Sequence, residues 1–240
     1  PERLGDAVRG IRALGIRGMN VTVPYKSEVI PFLKEIDPLA EQIGAVNTLV
    51  RTEGGYKGYN TDMPGLYRAM GVDGVKIEGE SVLILGAGGV ARAVAMMLAQ
   101  KGAKEIILLN RTVEKAQRVA DEVNGYAGKD LVSAMALEAY GKLPGKKYLA
   151  VQATSVGMHP HDDETVIKDG AFYEKVHTGY DLIFNPAQTK FMKLTKQYGG
   201  KAYNGARMLL YQGVIAYELW TGQNVTDEMA EKVYAAMKKI

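Results

Sequence analysis

The stretch Ser81-Val-Leu-Ile-Leu-Gly-Ala-Gly-Gly-Val-Ala91 constrains the fold of this chain more than any other segment. A short apolar run, Val82–Leu85, leads into glycines, and a segment with apolar residues at helical spacing follows them. The run has the length of a buried strand, and the glycines let the backbone turn sharply into a helix. Gly86, Gly88 and Ala91 stand in the G-x-G-x-x-A spacing. Gly86 allows the tight turn, Gly88 lets the backbone approach a pyrophosphate, and Ala91 permits close packing of helix on strand. The helix expected over Gly89–Lys101 would turn free N–H groups and its positive dipole end towards phosphate. On these grounds Gly86, Ala87, Gly88, Gly89, Val90 and Ala91 are expected to bind a nucleotide. The strand before, the helix after and a second strand over Glu105–Leu109 are the context that this motif requires.

The second strand should end in Asp or Glu if a ribose 2′-hydroxyl is to be held there. It ends instead in Asn110-Arg111-Thr112. A carboxylate would repel a 2′-phosphate, whereas Arg111 offers a fork for it, and Lys115 adds a second cation one helical turn further on. This pattern favours NADP over NAD.

Beyond Ser81 strands and helices alternate, which implies a parallel sheet covered on both faces. Thr112 caps a helix with Val113, Ala116, Val119, Ala120 and Val123 on one face. Tyr148–Ala153 and Tyr180–Phe184 read as further buried strands. Arg207–Thr221 and Asp227–Lys239 read as helices, the last with acids at its start and lysines at its end, as suits the dipole. Earlier in the chain, residues 3–14 read as a helix and Met19–Val23 as a strand. Asp37-Pro38 starts a helix that Gly44 closes, and Ala45–Val50 and Tyr56–Tyr59 flank a turn at Glu53-Gly54-Gly55. The fold class expected is α/β. Residues 1–64 form a smaller substrate-binding lobe, residues 65–203 a Rossmann-like NADP-binding domain, and residues 204–240 are helices returning to the first lobe, with a cleft between the lobes.

The chain of 240 residues, 47% of them apolar, can bury a core of this size. Its net charge of +3 is small, and Lys and Arg are scattered, which argues against nucleic acid as a partner. There is no cysteine, so thiolate zinc sites, disulfides and cysteine nucleophiles are excluded, and a reducing cytoplasm suits the chain. The most apolar window, Val82–Ala99, carries Arg92 and several glycines and makes a poor membrane span. His159-Pro160-His161 beside Asp162 and Asp163 reads as a solvated loop, and no metal is expected.

Polar residues gather where a structural strand or loop has no need of them: Asn20–Lys26, Gly44–Thr48, Gly58–Asp62 and Tyr211–Gly213. Asn-Val-Thr-Val is strand material, Pro24 marks its end, and Lys26 follows at once. A lysine ammonium stabilises the negative charge that hydride transfer builds on a ketone oxygen, and can deliver the proton. A carboxylate such as Asp62 would orient it, if the fold brings the two together.

The segments NVTVPYK, GAVNTL, YNTDMPG, GAGGVARAV, NRT, ATSVGM, DLIFNP and NGARMLLYQGVIAYELWTG occur in the order found in shikimate dehydrogenases, and the chain resembles that family over nearly all its length. The resemblance implies reversible NADPH-dependent reduction of 3-dehydroshikimate to shikimate, in aromatic amino-acid biosynthesis. It implies that Lys26 and Asp62 are the catalytic pair and that Thr22, Asn47 and Gln212 hold substrate hydroxyls and carboxylate. Asn110, Arg111 and Thr112 would meet the 2′-phosphate end of NADP. Ala153, Thr154, Ser155, Val156 and Met158, with Gly205 and Met208, would lie near the nicotinamide. A small-molecule substrate is the expected partner, in a monomer or homodimer.

The chain departs from the family pattern in three places. The opening strand and serine loop (S-x-S-P) have no counterpart from Pro1 onward, so these 240 residues are expected to bind NADP while handling shikimate poorly. Gln152 stands where asparagine is usual, and Phe184 where tyrosine is frequent. The alternatives are a quinate/shikimate dehydrogenase of broader specificity and a non-catalytic sensor on the same fold. Relatives of the first kind that accept NAD carry an acid after the second strand, which Asn110-Arg111 is not. A sensor would have no need to keep both Lys26 and Asp62.

Overall fold

The computed structural model describes residues 2–237. The chain divides into two compact units, Pro1–Ala69 with Arg207–Ile240, and Met70–Ala206.

The first unit opens with α1 (Leu4–Ala13), which buries Val8 and Ile11, and continues through β1 (Gly18–Asn20) and β2 (Glu35–Ile36) to α2 (Pro38–Ile43). Asp37 caps α2 by accepting from the Leu39 N–H at 3.0 Å, Pro38 occupies its first turn, and Gly44 closes it at φ +70°. Strands β3 (Thr48–Thr52) and β4 (Gly55–Tyr59) form the hairpin around Gly54, and α3 (Asp62–Val72) follows. The sheet order is β1-β3-β4-β2, with β2 parallel to β4 and the other pairs antiparallel. Val8, Ile11, Val29, Ala40, Val46, Leu49 and Tyr56 form its core.

The second unit holds β5 (Ser81–Leu85), α4 (Gly89–Gln100), β6 (Glu105–Asn110), α5 (Val113–Ala127), β7 (Val132–Ala136) and β8 (Tyr148–Gln152). There follow α6 (Gly170–Tyr173), β9 (Val176–Asp181), α7 (Lys190–Gln197) and β10 (Lys201–Tyr203). Its six strands lie in the order β10-β9-β8-β5-β6-β7, every pair parallel. The strands β5 and β8 are buried at every position, as parallel strands covered on both faces must be. Chain order reverses between β5 and β8. In open α/β sheets that reversal opens a crevice at the carboxyl ends of the strands, where ligands bind.

The chain returns to the first unit through α8 (Ala206–Thr221) and α9 (Asp227–Met237). The Trp220 indole N–H donates to Leu49 O at 2.8 Å, and Arg68 on α3 reaches Glu218 at 3.4 Å and Asp227 at 3.3 Å. Lys238 and Lys239, the lysines expected at the end of α9, lie outside the described residues.

Several expected boundaries move. The strand expected over Met19–Val23 ends at Asn20: Val21 N–H still bonds to Asn47 O, but Tyr25 N–H turns back to Thr22 O and the chain leaves the ladder. The strand expected at Ala45 begins at Thr48, because Val46 N–H bonds to Lys26 O rather than to a neighbouring strand. The strand expected over Tyr180–Phe184 lies earlier, at Val176–Asp181, and Leu182–Phe184 form a loop. The elements β7, α6, α7 and β10 carry no expectation from the sequence.

Candidate active site

Lys26 and Asp62, distant in sequence, meet in the first unit. Lys26 Nζ donates to Asp62 Oδ2 at 2.7 Å. Their side chains are 28% and 20% exposed, so the ammonium is reachable from solvent yet partly withdrawn from it. The other carboxylate oxygen accepts from Asn47 Nδ2 at 2.9 Å. Asn47 itself is buried, and its own oxygen accepts from Thr61 N–H at 2.8 Å and from the hydroxyls of Thr61 and Thr48, each at 3.1 Å. A backbone N–H can only donate, so that bond settles which end of the amide is oxygen and directs the NH2 group at Asp62. Asn60 completes the support. Its side chain donates to Ala45 O at 3.0 Å and accepts from Asp62 N–H at 3.1 Å, which seats the first turn of α3. The result is a lysine aligned by a carboxylate that is itself held at both oxygens.

The other two residues expected beside this pair stand differently. Thr22 is exposed, and its carbonyl accepts from Tyr25 N–H at 2.9 Å. Gln212 lies on α8 with its backbone against Gly65 of α3, where an added Cβ would come within 2.7 Å of Gln212 N. Its side-chain amide donates to Leu209 O, on its own helix, at 3.0 Å, and not to the Lys26–Asp62 network.

In the second unit the glycine-rich turn has the geometry that a pyrophosphate requires. Gly86 has φ +114°, a conformation reserved for glycine, and an added Cβ there would stand 2.8 Å from Thr154 Cγ2. Gly88 is the N-cap of α4 with an extended backbone and no side-chain cap, so the first N–H groups of that helix are left to a ligand. Nothing lies within 4 Å of a Cβ built on Gly88 or Gly89, Val90 is exposed, and Ala91 is fully buried against the sheet. At the end of β6, Asn110 Nδ2 donates to Thr112 O at 2.8 Å. Thr112 occupies the N-cap of α5, but its hydroxyl makes no capping bond. Arg111 and Lys115 are exposed and enter no ion pair among the described residues. These donors and cations fit the pyrophosphate and 2′-phosphate of NADP.

Ala153–Met158 follows β8, directly beside the turn at Gly86. Gly205 belongs to the second unit, its N–H bonded to Ile183 O at 2.9 Å, and Met208 to the first. Two buried polar residues, Gln152 and Asp181, close the neighbouring strands here. Gln152 accepts from Thr154 N–H and Thr154 Oγ1, each at 2.7 Å, and donates to Val156 O at 2.9 Å. Asp181, its register partner on β9, accepts from Ile183 N–H at 3.0 Å and from the Thr189 hydroxyl at 2.6 Å. Burial pushes the Asp181 carboxyl up to about 6, against the opposing pull of those two bonds. Gln152 has a signal in sequence, a polar side chain closing the apolar run Tyr148–Val151, whereas Asp181 closes a strand that does not read as apolar. No group of three or more His, Asp or Glu among the described residues is placed to hold a metal, and no described helix is long and apolar enough to cross a membrane.

Family models match three stretches of the chain. The shikimate dehydrogenase substrate binding domain matches residues 1–49, shikimate / quinate 5-dehydrogenase residues 70–140, and the shikimate 5′-dehydrogenase C-terminal domain residues 205–233. A shikimate dehydrogenase (NADP(+)) of Carboxydothermus hydrogenoformans is 42% identical over 231 residues, covering 96% of this chain and 81% of that protein. One from a Geobacillus species is 44% identical over 223 residues, covering 92% of this chain and 79% of that protein. A crystal structure of a shikimate dehydrogenase in complex with NADP+ superposes with a TM-score of 0.87 at 38% identity, over 99% of this chain and 82% of that one. A quinate dehydrogenase from Corynebacterium glutamicum in complex with NAD superposes with a TM-score of 0.85 at 30% identity, over 99% of this chain and 83% of that one. With such identity sustained along almost its whole length, the chain belongs to the shikimate dehydrogenase family.

Proposed function

We propose that this protein is an NADP-dependent shikimate dehydrogenase, catalysing reversible reduction of 3-dehydroshikimate to shikimate. The observation that carries the reading is the Lys26–Asp62 contact at 2.7 Å, with Asp62 held in turn by Asn47. NADPH, when bound, supplies the hydride. Lys26 points a hydrogen-bond donor at the carbonyl oxygen, stabilises the charge that grows there, and gives up a proton to it. Asp62 keeps the ammonium in place and accepts from a substrate hydroxyl. One Asn47 amide hydrogen is not used by Asp62 and serves a second hydroxyl. Thr22 and Gln212 contribute to the hydroxyls and carboxylate once the Gln212 amide leaves Leu209 O.

On the nucleotide side, Gly86–Ala91 holds the pyrophosphate and Asn110–Thr112 with Lys115 the 2′-phosphate. Ala153–Val156, Met158, Gly205 and Met208 flank the nicotinamide. Arg111, in the place where an acid would take a ribose hydroxyl, supports NADP over NAD and so favours this reading over an NAD-linked quinate dehydrogenase. The protein acts as a monomer or homodimer on a small hydroxylated carboxylate. The test is oxidation of shikimate and of quinate, each with NADP and with NAD. Fastest turnover with shikimate and NADP is expected. Preference for quinate with NAD would replace the reading, and no turnover with any pair would favour a non-catalytic binding protein.

A further inference from the structure

The reversal of chain order between β5 and β8 places two turns side by side at the carboxyl ends of those strands. One is the glycine-rich turn after β5. The other is the segment Ala153–Val156 after β8. They touch: a Cβ on Gly86 would meet Thr154 Cγ2 at 2.8 Å and Ala153 O at 3.2 Å. A shift of the second turn by an ångström therefore either presses on the pyrophosphate turn or opens a gap beside it. One buried side chain bridges the turn from within. Gln152 is 1% exposed, and all its polar capacity on the oxygen side is taken by Thr154 N–H and Thr154 Oγ1. Its amide nitrogen reaches Val156 O, and Thr154 Oγ1 closes the ring by accepting from Val156 N–H at 3.1 Å. The backbone adds Ala153 N–H to Leu85 O and Leu182 N–H to Gln152 O. A glutamine spans both Thr154 and Val156. An asparagine is shorter by one carbon–carbon bond, about 1.5 Å, and can take the Thr154 N–H while giving up the reach to Val156 O.

We propose that Gln152 is a positioning residue for the nicotinamide half of the cofactor: it holds Ala153–Val156 in place against Gly86 without itself touching the ligand. The inference rests on the dehydrogenase reading. Its physical basis is that a dinucleotide crosses an open α/β sheet at the switch point, with its pyrophosphate on the first glycine turn. The adenosine half then lies towards β6 and Arg111, and the other half towards β8. Gln152 therefore governs one half of the cofactor and not the other.

The variants Gln152→Asn and Gln152→Leu keep the strand apolar or polar without the full bridge. Affinity is measured by calorimetry for NADP and for adenosine 2′,5′-bisphosphate, which lacks the nicotinamide half. Shikimate oxidation gives separate KM values for cofactor and shikimate, and amide exchange follows Thr154 and Val156. Gln152→Leu is expected to bind NADP about ten-fold more weakly, the scale of one or two lost neutral hydrogen bonds, and Gln152→Asn to lose less, since its carboxamide still accepts from Thr154 N–H. Binding of adenosine 2′,5′-bisphosphate and the KM for shikimate should change less than two-fold, while Thr154 and Val156 exchange faster. Equal losses for both nucleotides would mean general loosening of the unit and would overturn the proposal. So would unchanged NADP affinity with unchanged exchange. If the unmodified protein binds neither nucleotide, the dehydrogenase reading fails as well, and the exchange rates of the variants still report whether Gln152 holds the turn.

Discussion

Asn47 donates to Asp62 Oδ1 at 2.9 Å, so the carboxylate that receives Lys26 has no freedom to turn away from it. The same amide accepts a backbone N–H from Thr61 in a buried position. Asn47→Ala should therefore act on both stability and turnover. It strands a buried donor, which costs about 1–3 kcal/mol, and it frees Asp62 to rotate. Urea unfolding should show the loss of stability. The turnover number should fall by roughly ten-fold, the scale of one hydrogen bond to a charged group. Unchanged turnover in a protein destabilised as expected would show that Asp62 needs no clamp.

Arg111 is exposed at the end of β6 and enters no ion pair among the described residues, as a group reserved for a ligand would be. Arg111→Ala should raise the KM for NADP by roughly ten- to a hundred-fold, since a charge-assisted hydrogen bond contributes about 1.5–3 kcal/mol. The KM for NAD should move little. Steady-state kinetics with the two cofactors decide it, and a parallel loss with both would place Arg111 outside the 2′-phosphate contact.

Asp181 ties the loop after β9 to the start of α7 through Ile183 and Thr189. Its carboxyl lies near 6 in the folded protein against 3.8 for the free group. Because the folded value is the higher one, the native state holds the proton over a range in which the unfolded chain has lost it. Stability from this group is full below about pH 4, falls as pH rises towards about 6, and is level beyond. Asp181→Asn removes that dependence. Relative to the unmodified protein, the variant should gain roughly 2–3 kcal/mol between about pH 4 and pH 7, read from denaturant unfolding at each pH. A difference independent of pH would show that the carboxyl does not titrate in this range.

The stretch from β5 to α5 was the most legible in sequence. The Val82–Leu85 run, the glycines and the spacing of apolar residues in α4 and α5 each carry a local signal, because buried strands and amphipathic helices must be written in those patterns. The strand Val176–Asp181 was misplaced because its residues, Val-His-Thr-Gly-Tyr-Asp, do not read as a buried run, whereas the following Leu-Ile-Phe does. Phe184 is in fact half exposed on a loop. The strands β7 and the three-residue β10 lie at the two edges of the sheet, where packing imposes little pattern. In the site, Lys26 and Asp62 could be named but not joined, since a contact across 36 positions is a property of the fold. The clamp by Asn47 and the bridge by Gln152 were illegible for a further reason. Their partners include backbone groups, and a backbone group leaves no mark in the sequence.

Turnover of shikimate with NADP by the unmodified protein and by Lys26→Ala tests the central claim most directly. If Lys26, aligned by Asp62, acts on the reacting oxygen, the variant should lose about a hundred-fold or more in kcat while KM for shikimate changes little. A variant that keeps its kcat and loses only affinity for shikimate would contradict the account and leave Lys26 as a binding residue.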